Sequence, residues 1–239
     1  GLPYDLNAFN KNMMEKIIRL RNHPCIAVWC GDNEGTPEAP LTGWMRENIS
    51  TFDGGDRWFQ PRSNADFLSG SGYWGAYDER YYFLPYPCQK SDPTMTLGWG
   101  FRTEIGTAVV PTYESLLQFM PKDHLWPIDD MWDMHYFGVK AGNAQPDRYR
   151  HIVDAYGKAT DAEDFCRKAQ LVNLQSNKAM YEGWVDHIWD DASGLMNWMG
   201  QSAYPSMVWQ TYDYYYDMTG AFWGCRKGCE PVHVFWNPA

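Results

Sequence analysis

The chain has 239 residues, enough for one α/β domain with a sizeable core, and sets 30 acidic against 20 basic side chains for a formal charge of −10. That balance argues against nucleic acid or an anionic membrane as partner, and no apolar run reaches the ~18–20 residues of a membrane-spanning helix. The 13 Trp and 16 Tyr suit a large aromatic core, and equally a cleft whose flat rings stack on the apolar faces of sugars.

The six cysteines, Cys25, Cys30, Cys88, Cys166, Cys225 and Cys229, are too sparse for a disulfide scaffold, so reduced and mostly buried thiols are expected. The histidines are scattered, and no metal-ligand set emerges. No signal-peptide pattern opens the chain. A start at Gly1-Leu2-Pro3 without Met reads as a cut or processed end.

In chain order, Asp5 caps a helix whose apolar positions Leu6, Phe9, Met13, Ile17 and Leu20 follow a helical period. A break at Asn22-His23-Pro24 leads into a short strand, Cys25 to Cys30, whose continuous apolar run suits burial on both faces. The strand opens into the polar tip Gly31-Asp32-Asn33-Glu34. A helix is expected over about 41–49 and a short strand over Arg57 to Ser63. Gly72 to Tyr77 and Tyr81 to Phe83 read as loop and strand with exposed rings, in a long irregular stretch of the kind that lines a site.

Gly98 to Gly106 is a second strand ending on a carboxylate, Glu104, and a helix follows from Pro111. Thr160-Asp161-Ala162-Glu163 is a capping box opening the longest helix, with Phe165, Ala169, Val172, Ala179 and Trp184 along one core-facing stripe. Gly194 to Met199 is a last strand, followed by the Tyr-rich run Trp209 to Tyr216. Pro231 to Trp236 alternates like the start of a further strand.

Glu34 and Glu104 both end strands, about two strand–helix units apart. Hydrolysis of a glycosidic bond needs such a pair, one group protonating the leaving oxygen while the other attacks or activates water at the anomeric carbon. A nearby like charge and partial burial keep the acid protonated while the nucleophile is ionised.

The wording around both residues is specific. Arg19-Leu20-Arg21-Asn22-His23-Pro24, the apolar strand and Trp29-Cys30-Gly31-Asp32-Asn33-Glu34 resemble the proton-donor strand of glycoside hydrolase family 2. Phe101-Arg102-Thr103-Glu104-Ile105-Gly106 with Pro111 is similar to its nucleophile strand. Lys168-Ala169-Gln170, Trp198-Met199, Ala203-Tyr204-Pro205-Ser206, Trp209 to Tyr215 and Cys229-Glu230-Pro231-Val232-His233-Val234 also match. The C-terminal run is most similar to the exo-β-glucosaminidase and β-mannosidase branch.

The resemblance implies an α/β fold, a (β/α)8 TIM barrel of which this chain holds about strands 4–8. A full barrel takes eight strands and about 250 residues, so the first three strands and the flanking β-sandwich domains would lie on the remainder of a longer parent chain. Residues 1–230 are then partial barrel, and 231–239 a tail or the start of a following β-sandwich. By the same resemblance Glu34 is the general acid/base and Glu104 the nucleophile of a retaining enzyme acting on terminal β-mannosides, β-glucosaminides or β-galactosides.

Asn33 would hold the 2-substituent of the sugar, and Trp198 is a stacking platform or a plain core Trp. Trp74, Tyr77 and Trp209 are cleft candidates, while Arg102 reads as a surface or salt-bridge residue. No cofactor and no metal is implied, and a periplasmic or secreted location fits the family better than the cytoplasm. The family's glucosaminidase subgroup can use Asp as proton donor, and Asp32 lies nearby, which leaves the sugar open. A non-catalytic carbohydrate-binding fragment is the alternative; the presence of both glutamates argues against it.

Overall fold

Among the described residues two parallel strand pairs organise the chain, each inside its own compact unit. The computed structural model describes residues 2–63, 68, 72–84, 99–137 and 146–238. Cys88, the residues before Trp99 in the expected second strand and the last residue, Ala239, lie outside the described residues.

The first unit runs through helix α1 (Leu6–Leu20), strand β1 (Val28–Asp32), helix α2 (Leu41–Phe52) and strand β2 (Trp58–Arg62). Asp5 caps α1 by accepting from Ala8 N at 2.9 Å. Leu41, Met45 and Ile49 recur every four residues and bury the inner stripe of α2. Asn48 donates to Asn10 across the two helices at 2.7 Å. Arg57 ties the start of β2 to the chain before β1, pairing with Asp53 and donating to Ile26 O at 2.7 Å. The strands run in parallel register, Val28 opposite Trp58 and Asp32 opposite Arg62.

Here the structure corrects the sequence reading. The strand begins at Val28, and Val28, Cys30 and Asp32 are exposed while Trp29 and Gly31 are half-buried. Among the described residues, α1 and α2 line a cavity with Trp29 and Gly31, and the exposure of Val28 and Cys30 shows that the apolar run is not buried on both sides. The same one-sidedness leaves Phe9 and Leu20 exposed on α1, with Ile17 its buried residue.

The second unit contains strand β3 (Gly100–Ile105), helices α3 (Tyr113–Phe119), α4 (Asp130–Met134), α5 (Pro146–Asp154) and α6 (Ala162–Asp186), strand β4 (Ala192–Asn197) and helix α7 (Gly220–Gly228). Strand β3 pairs with β4 in parallel, with register shifts after Gly100 and Arg102. The cap of α6 is Asp161, one residue later than the expected box; its carboxylate accepts from Asp164 N at 2.9 Å, while Asp164 accepts from Thr160 N. Phe165, Ala169, Val172, Ala179 and Trp184 are all buried, as their spacing requires.

Helix α7 lies close along α6 because Gly220, Gly224 and Gly228 fall on one face. A Cβ at Gly220 would stand 2.1 Å from Gln170 O, and one at Gly224 2.3 Å from Leu174 O. The 79–83 stretch is a 3-10 turn rather than a strand, and its Tyr82 and Phe83, with Tyr73, are core side chains rather than exposed rings. Burial pushes the Tyr82 hydroxyl up to about 12, against hydrogen bonds from Thr107 and Ser176.

Residues 231–236 form no strand but alternate in exposure. Val232, Val234 and Trp236 face solvent, while His233 meets Glu182 and Phe235 packs toward Phe83. The expectation of mostly buried thiols fails for Cys25, Cys30 and Cys229, which are exposed; Cys166 alone is fully buried among the described cysteines.

Candidate active site

In the first unit the polar tip after β1 is held by the residue that follows β2. Ser63 N donates to Asp32 O at 3.1 Å, and Ser63 Oγ accepts from Glu34 N at 2.9 Å and donates to Asn33 Oδ1 at 3.4 Å. Asp32 Oδ1 accepts from Asn33 N at 2.8 Å. Gly35 N donates to Asn33 O at 2.5 Å, which makes Glu34 the centre of a γ-turn, and its φ is 56°. A non-glycine residue with positive φ costs of order 1–3 kcal/mol and persists only where its surroundings over-determine it.

The buried Ser63, tied into both strands, is that support. Its signal in the sequence was only its place at the end of a short strand. Glu34 and Asn33 are both exposed in this unit; the partial burial expected of the acid is not supplied by the unit that carries it.

In the second unit Glu104 sits half-buried one residue from the end of β3. Its carbonyl accepts from Gly72 N at 3.1 Å, and Gly106 O accepts from Tyr73 N at 3.1 Å and Trp74 N at 2.8 Å. The loop 72–75 is thereby laid over the C-terminal end of the strand. Trp74 has φ 67°, and its carbonyl accepts from Trp209 Nε1 at 2.8 Å. The two indoles lie 4.5 Å apart, tilted by 50°.

Trp198 follows β4; its N–H donates to Ile105 O at 2.8 Å, and its peptide to Met199 is cis. Met199 N in turn donates to Trp209 O at 2.6 Å. Gly106 is the point on which these converge. A Cβ there would lie 2.1 Å from Trp198 O, 3.0 Å from Trp209 Cβ and 3.2 Å from the Trp74 ring. Trp198 itself is 44% exposed.

The structure thus gathers Trp74, Trp198 and Trp209 next to the strand end that bears Glu104, and holds Asn33 and Glu34 together with Ser63. Tyr77 does not join the three indoles. Its ring is stacked on Tyr81 at 4.2 Å and capped by the Arg148 guanidinium at 4.5 Å. Arg102 is not a surface residue: it is fully buried, 4.8 Å from the Trp184 ring and 5.6 Å from that of Tyr73. Burial along β3 falls on Arg102 and Ile105, on either side of a register shift, and the rings of Trp184 and Tyr73 accept the charge of Arg102 as cation–π partners. Among the described residues no cluster of three His, Cys, Asp or Glu could hold a metal ion, and no helix is long and apolar enough to cross a membrane.

Compared with profiles of known protein families, the chain matches none. Individual relatives match it along nearly its whole length. A mannosylglycoprotein endo-β-mannosidase of Lilium longiflorum is 27% identical over 274 aligned residues, covering 99% of this chain. An exo-β-D-glucosaminidase of Hypocrea jecorina is 30% identical over 255, covering 98%. The chain is a relative of exo-β-glucosaminidases and β-mannosidases.

These are members of glycoside hydrolase family 2, which the motifs resemble, and the chain spans 28% of the length of both. In fold it is similar to the crystal structure of the Amycolatopsis orientalis exo-chitosanase, with a TM-score of 0.78 at 23% identity over 99% of this chain and 29% of the other. A β-D-mannosidase from Dictyoglomus thermophilum gives a TM-score of 0.68 at 20% identity over 95% of this chain and 30% of the other. The chain therefore shares its mixed α/β fold with part of each of these two enzymes.

Proposed function

We propose that this chain is the C-terminal portion, about strands 4–8, of a (β/α)8 barrel that further chain completes, with 231–239 leading into a following domain. The finished enzyme hydrolyses terminal β-linked sugars, a β-mannoside, β-glucosaminide or β-galactoside, with retention of configuration. Glu104 attacks the anomeric carbon, and Glu34 first protonates the leaving oxygen and then takes the proton of the attacking water.

The observation that carries this reading is the cluster around Gly106. The C-terminal end of the parallel strand that bears Glu104 is hydrogen-bonded to the backbone of Trp198, whose indole is half-exposed; strand ends are where barrel enzymes do their chemistry, and an open indole is what a pyranose face needs. The γ-turn at Glu34 supports the second role, since a strained residue pinned by a buried serine is costly to keep without use. Asn33, fixed by the same serine, is suited to the 2-substituent, and Trp198 to the platform under the sugar; Trp74 and Trp209 buttress it.

The one-sided cover of β1 supports the incomplete barrel, because the bare face of Val28 and Cys30 is the face that interior side chains of other strands would fill. The names of the relatives, all glycosidases, support the chemistry. The test is a panel of aryl β-mannoside, β-glucosaminide and β-galactoside with the full-length protein, the product anomer being read by NMR. Hydrolysis of one of the three with β product first is expected. No turnover of any, or α product first, overturns the reading.

A further inference from the structure

The serine that holds the tip after β1 also decides which end of the Asn33 amide turns outward. Ser63 is buried, and its hydroxyl works in both directions. Its oxygen accepts from Glu34 N at 2.9 Å, and its hydrogen goes to Asn33 Oδ1 at 3.4 Å. Its backbone N–H donates to Asp32 O at 3.1 Å, which sets the hydroxyl against the end of β1.

The backbone of Asn33 is fixed on both sides. Its N–H donates to Asp32 Oδ1 at 2.8 Å, and its carbonyl accepts from Gly35 N at 2.5 Å. What remains to choose is the direction of the side-chain amide, whose oxygen only accepts and whose nitrogen only donates. With Oδ1 turned to Ser63, the exposed Asn33 offers Nδ2, which has no partner among the described residues. Turning the amide over would withdraw Oδ1 from the buried hydroxyl.

We propose that Ser63 is a positioning residue that makes Asn33 a hydrogen-bond donor toward C2 of the sugar, so that the site takes a 2-hydroxy sugar, a β-mannoside or β-galactoside, in preference to a 2-ammonium sugar. The oxygen of a 2-hydroxyl accepts from Nδ2. A protonated amine carries three donors and no acceptor, so against Nδ2 it sets donor to donor and forms no bond. Asp32 pulls the other way, but it is exposed, and water weakens the attraction between charges there. The inference rests on the hydrolase reading above and narrows its substrate class.

The test is kcat/KM of the full-length protein on matched pairs of aryl glycosides that differ only at C2: β-mannoside and its 2-amino analogue, β-glucoside and β-glucosaminide, β-galactoside and β-galactosaminide. Where the amine is charged, the 2-hydroxy member of a pair that is turned over should lead by about tenfold, the weight of one net hydrogen bond. The lead should shrink as pH rises through the pKa of the amine, about 7.7–8.0 by analogy with an α-amino group, because the neutral amine regains an acceptor. Ser63→Ala releases the amide and should erase the lead, whereas Ser63→Thr keeps the hydroxyl and should retain it whatever the absolute rate. Asn33→Asp, at an exposed position, should reverse the preference because a carboxylate only accepts, and it tests the proposal even where Ser63→Ala does not fold. A lead of the 2-amino member in the wild type, a lead that survives Ser63→Ala, or no reversal in Asn33→Asp overturns the proposal and leaves hydrolysis standing. If no member of any pair is turned over, the hydrolase reading fails and this one with it.

Discussion

Gly106→Ala is the substitution whose cost the structure defines best. The new Cβ would lie 2.1 Å from Trp198 O, so that carbonyl must retreat by about 1.3 Å to reach the 3.4 Å of ordinary contact. Trp198 is held in place by its 2.8 Å bond to Ile105 O, and Met199 beside it by the 2.6 Å bond to Trp209 O. Neither can follow freely. Overpacking of this kind costs about 1–3 kcal/mol, and weakening one backbone hydrogen bond adds about 1 kcal/mol. A total near 2–4 kcal/mol corresponds to a fall in Tm of roughly 4–16 °C at this size.

Gly200→Ala is the control. It lies on the same rim after β4, its Cβ meets nothing within 4 Å, and its φ is not in the left-handed region; it should be neutral or stabilising by about 0.4–1 kcal/mol. Urea unfolding followed by Trp fluorescence reads both variants. Because the clash displaces the indole proposed to carry the sugar, Gly106→Ala should also cost turnover on the order of a hundredfold, the penalty of a ~1 Å misplacement. If it unfolds with the same midpoint as Gly200→Ala, the convergence of the three indoles on Gly106 is wrong.

Three further outcomes are expected. Glu34→Gln in the full-length protein should slow glycosides of poor leaving groups by about 10²–10⁴-fold and largely spare the first step with activated aryl groups; equal loss across a leaving-group series would point to Asp32 or a structural role instead. Asp129 accepts from His124 Nδ1 at 2.7 Å, which raises the pKa of the imidazole and lowers that of the carboxylate. The histidine's contribution to stability is then fully present below about 6.5 and lost as pH rises through its raised value, while that of Asp129 is present above about 3.9 and lost on acidification below that. NMR should find the His124 midpoint above 6.5, and Asp129→Asn should bring it down; an unmoved midpoint refutes the pairing. Among thiols, exposed Cys25 and Cys30 should react with a disulfide reagent at once, whereas burial holds the Cys166 thiol far above its usual range and should keep it unlabelled until unfolding.

What the sequence revealed was what repeats or is spelled locally. The α1 cap, the α6 stripe and the two strands ending on carboxylates follow from spacing and capping chemistry, and the motif resemblance agrees with the relatives found. Reading missed what depends on the chain's third dimension. The Cys25–Cys30 run looked covered because apolar residues are consecutive, yet burial is decided by how many layers pack on a strand, and Val28 and Cys30 are exposed. Tyr73, Tyr82 and Phe83 looked like exposed cleft rings because Gly and Tyr mark loops, yet they fill space under α6. Arg102 looked external because arginine usually is. Ser63 carried no motif at all; only the parallel register of β1 and β2 puts it under Glu34 and Asn33. Tyr77 had the composition of a cleft residue but turns to Tyr81 and Arg148.

The most direct test of the central claim is to trap the covalent intermediate. A retaining β-glycosidase treated with the matching 2-deoxy-2-fluoro glycoside carrying a good leaving group accumulates a glycosyl ester on its nucleophile. In the full-length protein, proteolysis and peptide mapping should find the sugar on the carboxylate of Glu104, in the peptide containing Phe101-Arg102-Thr103, and Glu104→Gln should abolish both labelling and turnover. A label on any other residue, or inactivation with no covalent adduct, would contradict the assignment of Glu104 as the nucleophile.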